Sequence, residues 1–180
     1  MATTRDVPDR DLLRQLDGDG LRYEIVDGEV RVSPAGMRHG QILVRLTLRL
    51  GGFVMERGLG QVFDSSTGFR PPSGNLRSPD LSFIAAGRLP AGAAPEGYGE
   101  MAPDLVVEVL STSENPRHVL DKVGEYLGWG VRLVWIIDPQ KRRAVVYRSL
   151  TEVREIPEDG ALEGEGILPG FSCPLSSLLA

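Results

Sequence analysis

The chain has 180 residues, 41% hydrophobic and 25% charged, a composition that excludes a disordered or fibrous protein and leads to the expectation of one domain around one core. Its formal charge of -5 and pI near 5.1 give no global attraction to polyanions, so a nucleic-acid partner would need a local basic patch or bound cations. The single cysteine, Cys173, excludes an internal disulfide framework and a thiolate metal site; with no signal-like N-terminus and no long apolar run, the expectation is a cytoplasmic protein without a membrane span.

Residues 7–16 carry Leu12, Leu13 and Leu16 at helical spacing, which predicts a short N-terminal helix lying as a flap (residues 1–20) on the domain. The segment LRYEIVDGEVRVS follows. Its Asp27-Gly28 pair predicts a two-residue hairpin, with Tyr23, Ile25, Val30 and Val32 on one face and Glu24 opposite Arg31 on the other. Residues 38–57 place Ile42, Leu43, Leu46, Leu50, Phe53 and Val54 at 3.6-residue spacing, with Gly58 as the stop, and so predict a long helix despite Gly51 and Gly52.

Residues 61–67, 76–84 and 104–110 read as strands, the last two separated by a Gly/Ala/Pro-rich surface loop over 89–102. Asn115-Pro116 supplies an N-cap and a first-turn proline for a helix through Trp129. Two strands follow around the turn Asp138-Pro139-Gln140-Lys141, and the end, GILPGFSCPLSSLLA, is apolar without a clear period. The order predicts an α/β protein (α+β in the sense of a mixed sheet) with a helix on each face of a central sheet, a core over 21–148 and a C-terminal extension over 149–180.

One residue stands out chemically. In PDLVVEVLS, Leu105, Val107 and Val109 alternate with Val106, Glu108 and Leu110, the pattern of a strand covered on both faces. An ionised carboxylate buried there is costly, so Glu108 needs a cation: an Arg or Lys in a structural salt bridge, or a metal ion. Twenty-eight residues upstream, RSPDLSF starts another apolar strand with Asp80, held extended by the preceding proline. If the strands are neighbours, Asp80 and Glu108 converge on one divalent ion. Lys122 lies on the following helix with His118 and Tyr126 one turn to either side; a solvated lysine is the alternative.

Glu24 in RYEIVDGEV, His39 in SPAGMRHGQI, Asp80 in RSPDLSF, Glu108 and Ser111 in PDLVVEVLS, and Lys122 with Tyr126 in DKVGEY occur in an order that resembles the Uma-type family of bacterial restriction-endonuclease-like proteins. That family, a former domain of unknown function, belongs to the PD-(D/E)XK nuclease superfamily. The resemblance covers about residues 21–148 and the terminal GILPGF. It implies a restriction-endonuclease-like fold and hydrolysis of DNA phosphodiesters, with Asp80 and Glu108 as ligands of Mg²⁺ or Mn²⁺, Lys122 supporting the transition state and Glu24 as a further acid.

The sequence departs from the superfamily at the third position of the Glu-x-Lys triplet, where Leu110 stands; the resemblance implies that Lys122 has taken over from the next helix. A Glu24–Arg31 cross-strand pair explains Glu24 equally well. His39 either lines the cleft or bonds the helix start, and Ser111 and Tyr126 are further candidates for the cleft. Asp104 shares a face with Glu108 but lies about 13 Å along the strand, which favours a strand cap. Arg38, Arg45, Arg49, Arg70, Arg77 and Arg117 are candidates for phosphate contacts. The competing function is a non-catalytic nuclease-like interaction or regulatory module, and a homodimer is an expectation by analogy.

Overall fold

The computed structural model describes residues 23–32, 36–89, 93–112 and 114–180. The helix expected over 7–16 lies outside them. The architecture is a mixed α/β fold built on a six-stranded sheet of order β3-β4-β5-β6-β7-β8. Its strands are β3 (Gly60–Asp64), β4 (Leu81–Ala85), β5 (Leu105–Val109), β6 (Leu133–Asp138), β7 (Arg143–Tyr147) and β8 (Val153–Pro157). Only β5 and β6 run parallel, because the connection between them is a helical crossover, α2 (Pro116–Trp129).

Ahead of the sheet, β1 (Tyr23–Val26) and β2 (Glu29–Val32) form a separate hairpin in the expected register, Glu24 opposite Arg31 and Ile25 opposite Val30. Asp27 and Gly28 have φ of 51° and 84°, the pair of positive values that a type I′ turn demands. Only part of the expected apolar face closes: Ile25 is buried against Leu76, whereas Val30 is exposed.

Helix α1 (Met37–Arg57) lays Ile42, Leu46, Leu50 and Val54 on one face of the sheet, where they meet Leu81, Phe83, Leu105, Val107, Val109, Leu133 and Trp135. On the other face α2 presses Val119, Val123 and Tyr126 against Val106, Val134 and Ile136. The period-2 alternation of β5 therefore divides between two cores, odd positions under α1 and even positions under α2. Asn115 Oδ1 caps α2 by accepting from the Arg117 N–H (2.9 Å), and Gly130, at φ 108°, ends it in a conformation L side chains rarely adopt.

Two expectations are corrected. The strand expected over 76–84 starts only at Leu81: Pro79 has no N–H to give to a ladder, and the residues before it pair elsewhere, Leu76 with Ile25 and Arg77 with Phe69. The C-terminal residues without a clear period are core. β10 (Ser172–Pro174) pairs with β9 (Ala161–Glu163), the short α3 (Ser176–Leu179) follows, and Leu168, Phe171, Cys173, Leu175, Leu178 and Leu179 are all buried in the α1 cluster. The Phe171 ring stacks on Trp135 at 6.0 Å. Cys173 is thus a small buried apolar residue.

Candidate active site

The antiparallel register of β4 and β5 pairs Leu81 with Val107. One step further along that ladder Asp80 comes opposite Glu108, on the even-numbered face, where directly opposed residues have Cβ atoms about 5 Å apart. Both carboxylates are buried, Asp80 at 3% and Glu108 at 5% exposure. Asp80 Oδ2 accepts from the Val109 backbone N–H (2.7 Å) and lies 2.9 Å from His39 Nε2 in the first turn of α1. This contact brings the His39 ring, at the start of α1, against Asp80.

Glu108 is gripped from α2. Tyr126 donates its hydroxyl to Oε1 (2.8 Å) and the Lys122 ammonium lies 3.4 Å from Oε2. These two residues are one turn apart on α2, so a single helix face delivers both. Lys122 also meets Glu24 Oε2 at 3.2 Å, and Glu24 Oε1 accepts from the Ser78 N–H (3.3 Å). Glu24 therefore faces the carboxylate cluster, and the solvated reading of Lys122 is excluded by its contacts.

Sequence reasoning misjudged Arg77 and missed Glu125. Arg77, grouped above with phosphate contacts, is only 4% exposed and runs between Glu24 (3.7 Å) and Glu125 (2.5 Å). Glu125 also accepts from Asn75 Nδ2 (2.7 Å) and from the Ser73 hydroxyl. Its signal was an acid three residues after Lys122 on the same helix face. These buried and half-buried groups form a chain of alternating charge: Glu125, Arg77, Glu24, Lys122, Glu108.

His118 is exposed on the rim of an open polar cleft of about 420 Å³, lined also by Asp27, Asn75, Asp121, Lys122 and Glu125. Ser111 lies exposed beyond β5, its backbone N–H 3.4 Å from Glu114. Asp104 is at the far end of β5 and accepts from the Ala85 N–H (2.9 Å) with Arg88 beside it (2.9 Å), a strand cap. Arg38, Arg49 and Arg117 are exposed, Arg70 covers the Tyr98 ring, and Arg45 donates to the Leu178 carbonyl (3.1 Å).

The electrostatics follow from burial. Desolvation, reinforced by Asp80 and Glu24, pushes the Glu108 carboxyl up to about 7, against the pull of Lys122 and the Tyr126 hydrogen bond. Burial alone would lower Lys122, but Glu108 and Glu24 outweigh it and hold the ammonium protonated. Burial, and then Glu108, push the Tyr126 hydroxyl well above its ordinary value, so it remains a donor.

The donor set fits a small hard cation. Among the described residues no group of three or more His, Cys, Asp or Glu is arranged to hold a metal. Mg²⁺ does not need one, since it keeps several waters and takes one or two carboxylates together with substrate phosphates. Charge agrees: the carboxylates of Asp80, Glu108, Glu24 and Glu125 face the two cations Lys122 and Arg77, leaving a formal excess of two negative charges. Asp80 and Glu24, on the negative side of that balance, add to the burial that raises the Glu108 carboxyl.

The fold is similar to that of a crystal structure from Anabaena variabilis ATCC 29413 described as a "putative nuclease belonging to DUF820", with TM-score 0.78 and 19% identity over 87% of this chain and 89% of that one. No curated protein matches the sequence. The model of the Uma2 family, described as "Putative restriction endonuclease", matches residues 9–176, and the chain belongs to that family.

Proposed function

We propose that this protein is a metal-dependent endonuclease that hydrolyses phosphodiester bonds in DNA. One observation carries the reading: two buried carboxylates, Asp80 at the residue before β4 and Glu108 on the neighbouring β5, with the Lys122 ammonium 3.4 Å from the second. Asp80 and Glu108 would hold Mg²⁺ or Mn²⁺, which when bound supplies a polarised water and a counter-charge for the phosphate.

The remaining work belongs to the chain. His39 and the Val109 N–H hold the Asp80 carboxylate in place, and Tyr126 fixes the orientation of Glu108. Lys122, kept protonated and aimed by Glu24, can donate to the charge that develops on a phosphoryl oxygen or orient the attacking water. The exposed arginines Arg49 and Arg117 offer phosphate contacts that the net charge of -5 does not.

Incubation with supercoiled plasmid and with single-stranded DNA in Mg²⁺ or Mn²⁺ tests the reading. Cleavage is expected, to vanish with a chelator and in Asp80→Asn. Cleavage that survives Asp80→Asn together with Lys122→Ala would place the activity elsewhere.

A second reading, a non-catalytic nuclease-like module, is favoured by one feature: both Glu108 oxygens already have partners, Tyr126 and Lys122. In that case Mn²⁺ leaves thermal stability unchanged and no DNA is cut.

A further inference from the structure

Helix α1 has two apolar faces, and among the described residues only one is packed into a core. Ile42, Leu46, Leu50 and Val54 are buried against the sheet, whereas Met37, Val44, Leu48 and Met55 are 95%, 61%, 72% and 76% exposed. At 3.6 residues per turn these four fall within about 40° of one another, on the side of the helix away from the sheet. Monomeric proteins rarely leave a continuous apolar stripe of this length in water, and such stripes mark interaction surfaces.

The stripe has an internal symmetry that specifies its occupant. Reflection about Leu46 exchanges Met37 with Met55 and Val44 with Leu48. It also sends Gly40 to Gly52 and Gln41 to Gly51. A two-fold axis acting on an antiparallel helix pair performs this exchange, because an isologous contact sets each residue against its mirror position in the other copy.

Two further features agree. Gly40 and Gly52 lie inside the helix, where each costs about 0.5–1 kcal/mol relative to Ala, yet a Cβ at either would meet nothing beyond the helix's own backbone within 4 Å. The packing of the described residues gives no reason for them; close approach of a second backbone does. Charge agrees as well: on the same flank, exposed Arg38 near the start of α1 comes within one turn of exposed Glu56 near its end, which pairs with Arg57 of its own chain at 3.3 Å. Arg45, which antiparallel pairing would otherwise bring towards Arg49 of the second copy, is turned away to the carbonyl of Leu178.

We propose that two copies of the chain associate through the outer face of α1, packed antiparallel about a two-fold axis at Leu46, with Val44 of each copy on Leu48 of the other. This does not rest on the nuclease reading and is tested without it. Light scattering and sedimentation of the full chain are expected to show a dimer. Val44→Glu with Leu48→Glu, both exposed positions, should weaken it roughly hundredfold while circular dichroism and Tm stay close to those of the parent. Arg38→Glu should weaken it too, and Arg38→Glu with Glu56→Arg should restore it.

A short bis-maleimide reads the register. Met37→Cys mixed with Met55→Cys should cross-link, whereas Met37→Cys alone should not, because the two copies of position 37 are then about 27 Å apart along the axis. A protein monomeric at about 100 µM, a dimer unaffected by the double Glu variant, or cross-linking of Met37→Cys to itself would each overturn the proposal. So would a dimer that forms only after deletion of residues 1–22, since that segment would then be the native cover of the stripe.

Discussion

Lys122 reaches Glu108 from a different element, its ammonium 3.4 Å from Oε2 although fourteen residues and the start of a crossover helix separate the two. Leu110, half-buried on the same face of the strand as Glu108, stands where the superfamily pattern has its lysine. The amine is thus supplied across the gap between strand and helix.

That geometry makes a rescue experiment possible. Lys122→Ala should lower kcat for DNA cleavage by about 10²–10³-fold with a much smaller change in KM, the range for loss of one oriented donor to a developing oxyanion. Adding Leu110→Lys to Lys122→Ala should recover part of the loss. Steady-state kinetics on a defined duplex give both numbers, and absence of recovery would show that the helix position cannot be replaced from the strand.

Tyr126→Phe removes the hydroxyl that donates to Glu108 Oε1 and leaves a buried carboxylate short of a partner. Denaturant unfolding should show a loss of about 1.5–3 kcal/mol, the cost typical of a hydrogen bond to a charged group. A loss below a few tenths would mean that the bond does not form in solution.

The raised Glu108 carboxyl makes stability depend on pH in a stated direction. Below about 4.5 the side chain is protonated in both the folded and unfolded states. Between there and about 7 the folded protein keeps a proton that the unfolded chain has released, so stability falls as pH rises, and above about 7 this contribution is level. In the absence of divalent cations, Tm measured across that window should decline, and Glu108→Gln should flatten the slope. Mn²⁺, which competes with that proton, should raise Tm more at pH 8 than at pH 6.

Arg77 neutralises Glu24 and Glu125 inside the fold. Arg77→Met should therefore cost about 3–5 kcal/mol by leaving those charges uncompensated. Arg77→Met with Glu125→Leu should cost less than Arg77→Met alone, a non-additivity that a double-mutant cycle measures.

Much of the scaffold was legible locally. Asp27-Gly28 dictates its turn because few other residue pairs accept two positive φ values. Asn115-Pro116 starts α2 because the Asn side chain and the missing proline N–H answer the orphan groups of a helix start. The alternation in LVVEV announced a strand covered on both faces with a carboxylate that needed a cation.

What local pattern could not supply is adjacency. Asp80 meets Glu108 because β4 and β5 pair antiparallel in one register out of several, a choice made by the packing of Leu81, Phe83, Leu105 and Val107 under α1. The burial of Arg77 beside Glu125, and the entry of residues 168–179 into the core, are likewise invisible to any short window. Periodicity and turn chemistry act over a few residues and are written in the sequence. The convergence of Glu24, Asp80, Glu108 and Lys122 is set by the free energy of the whole core, and only the tertiary structure decides it.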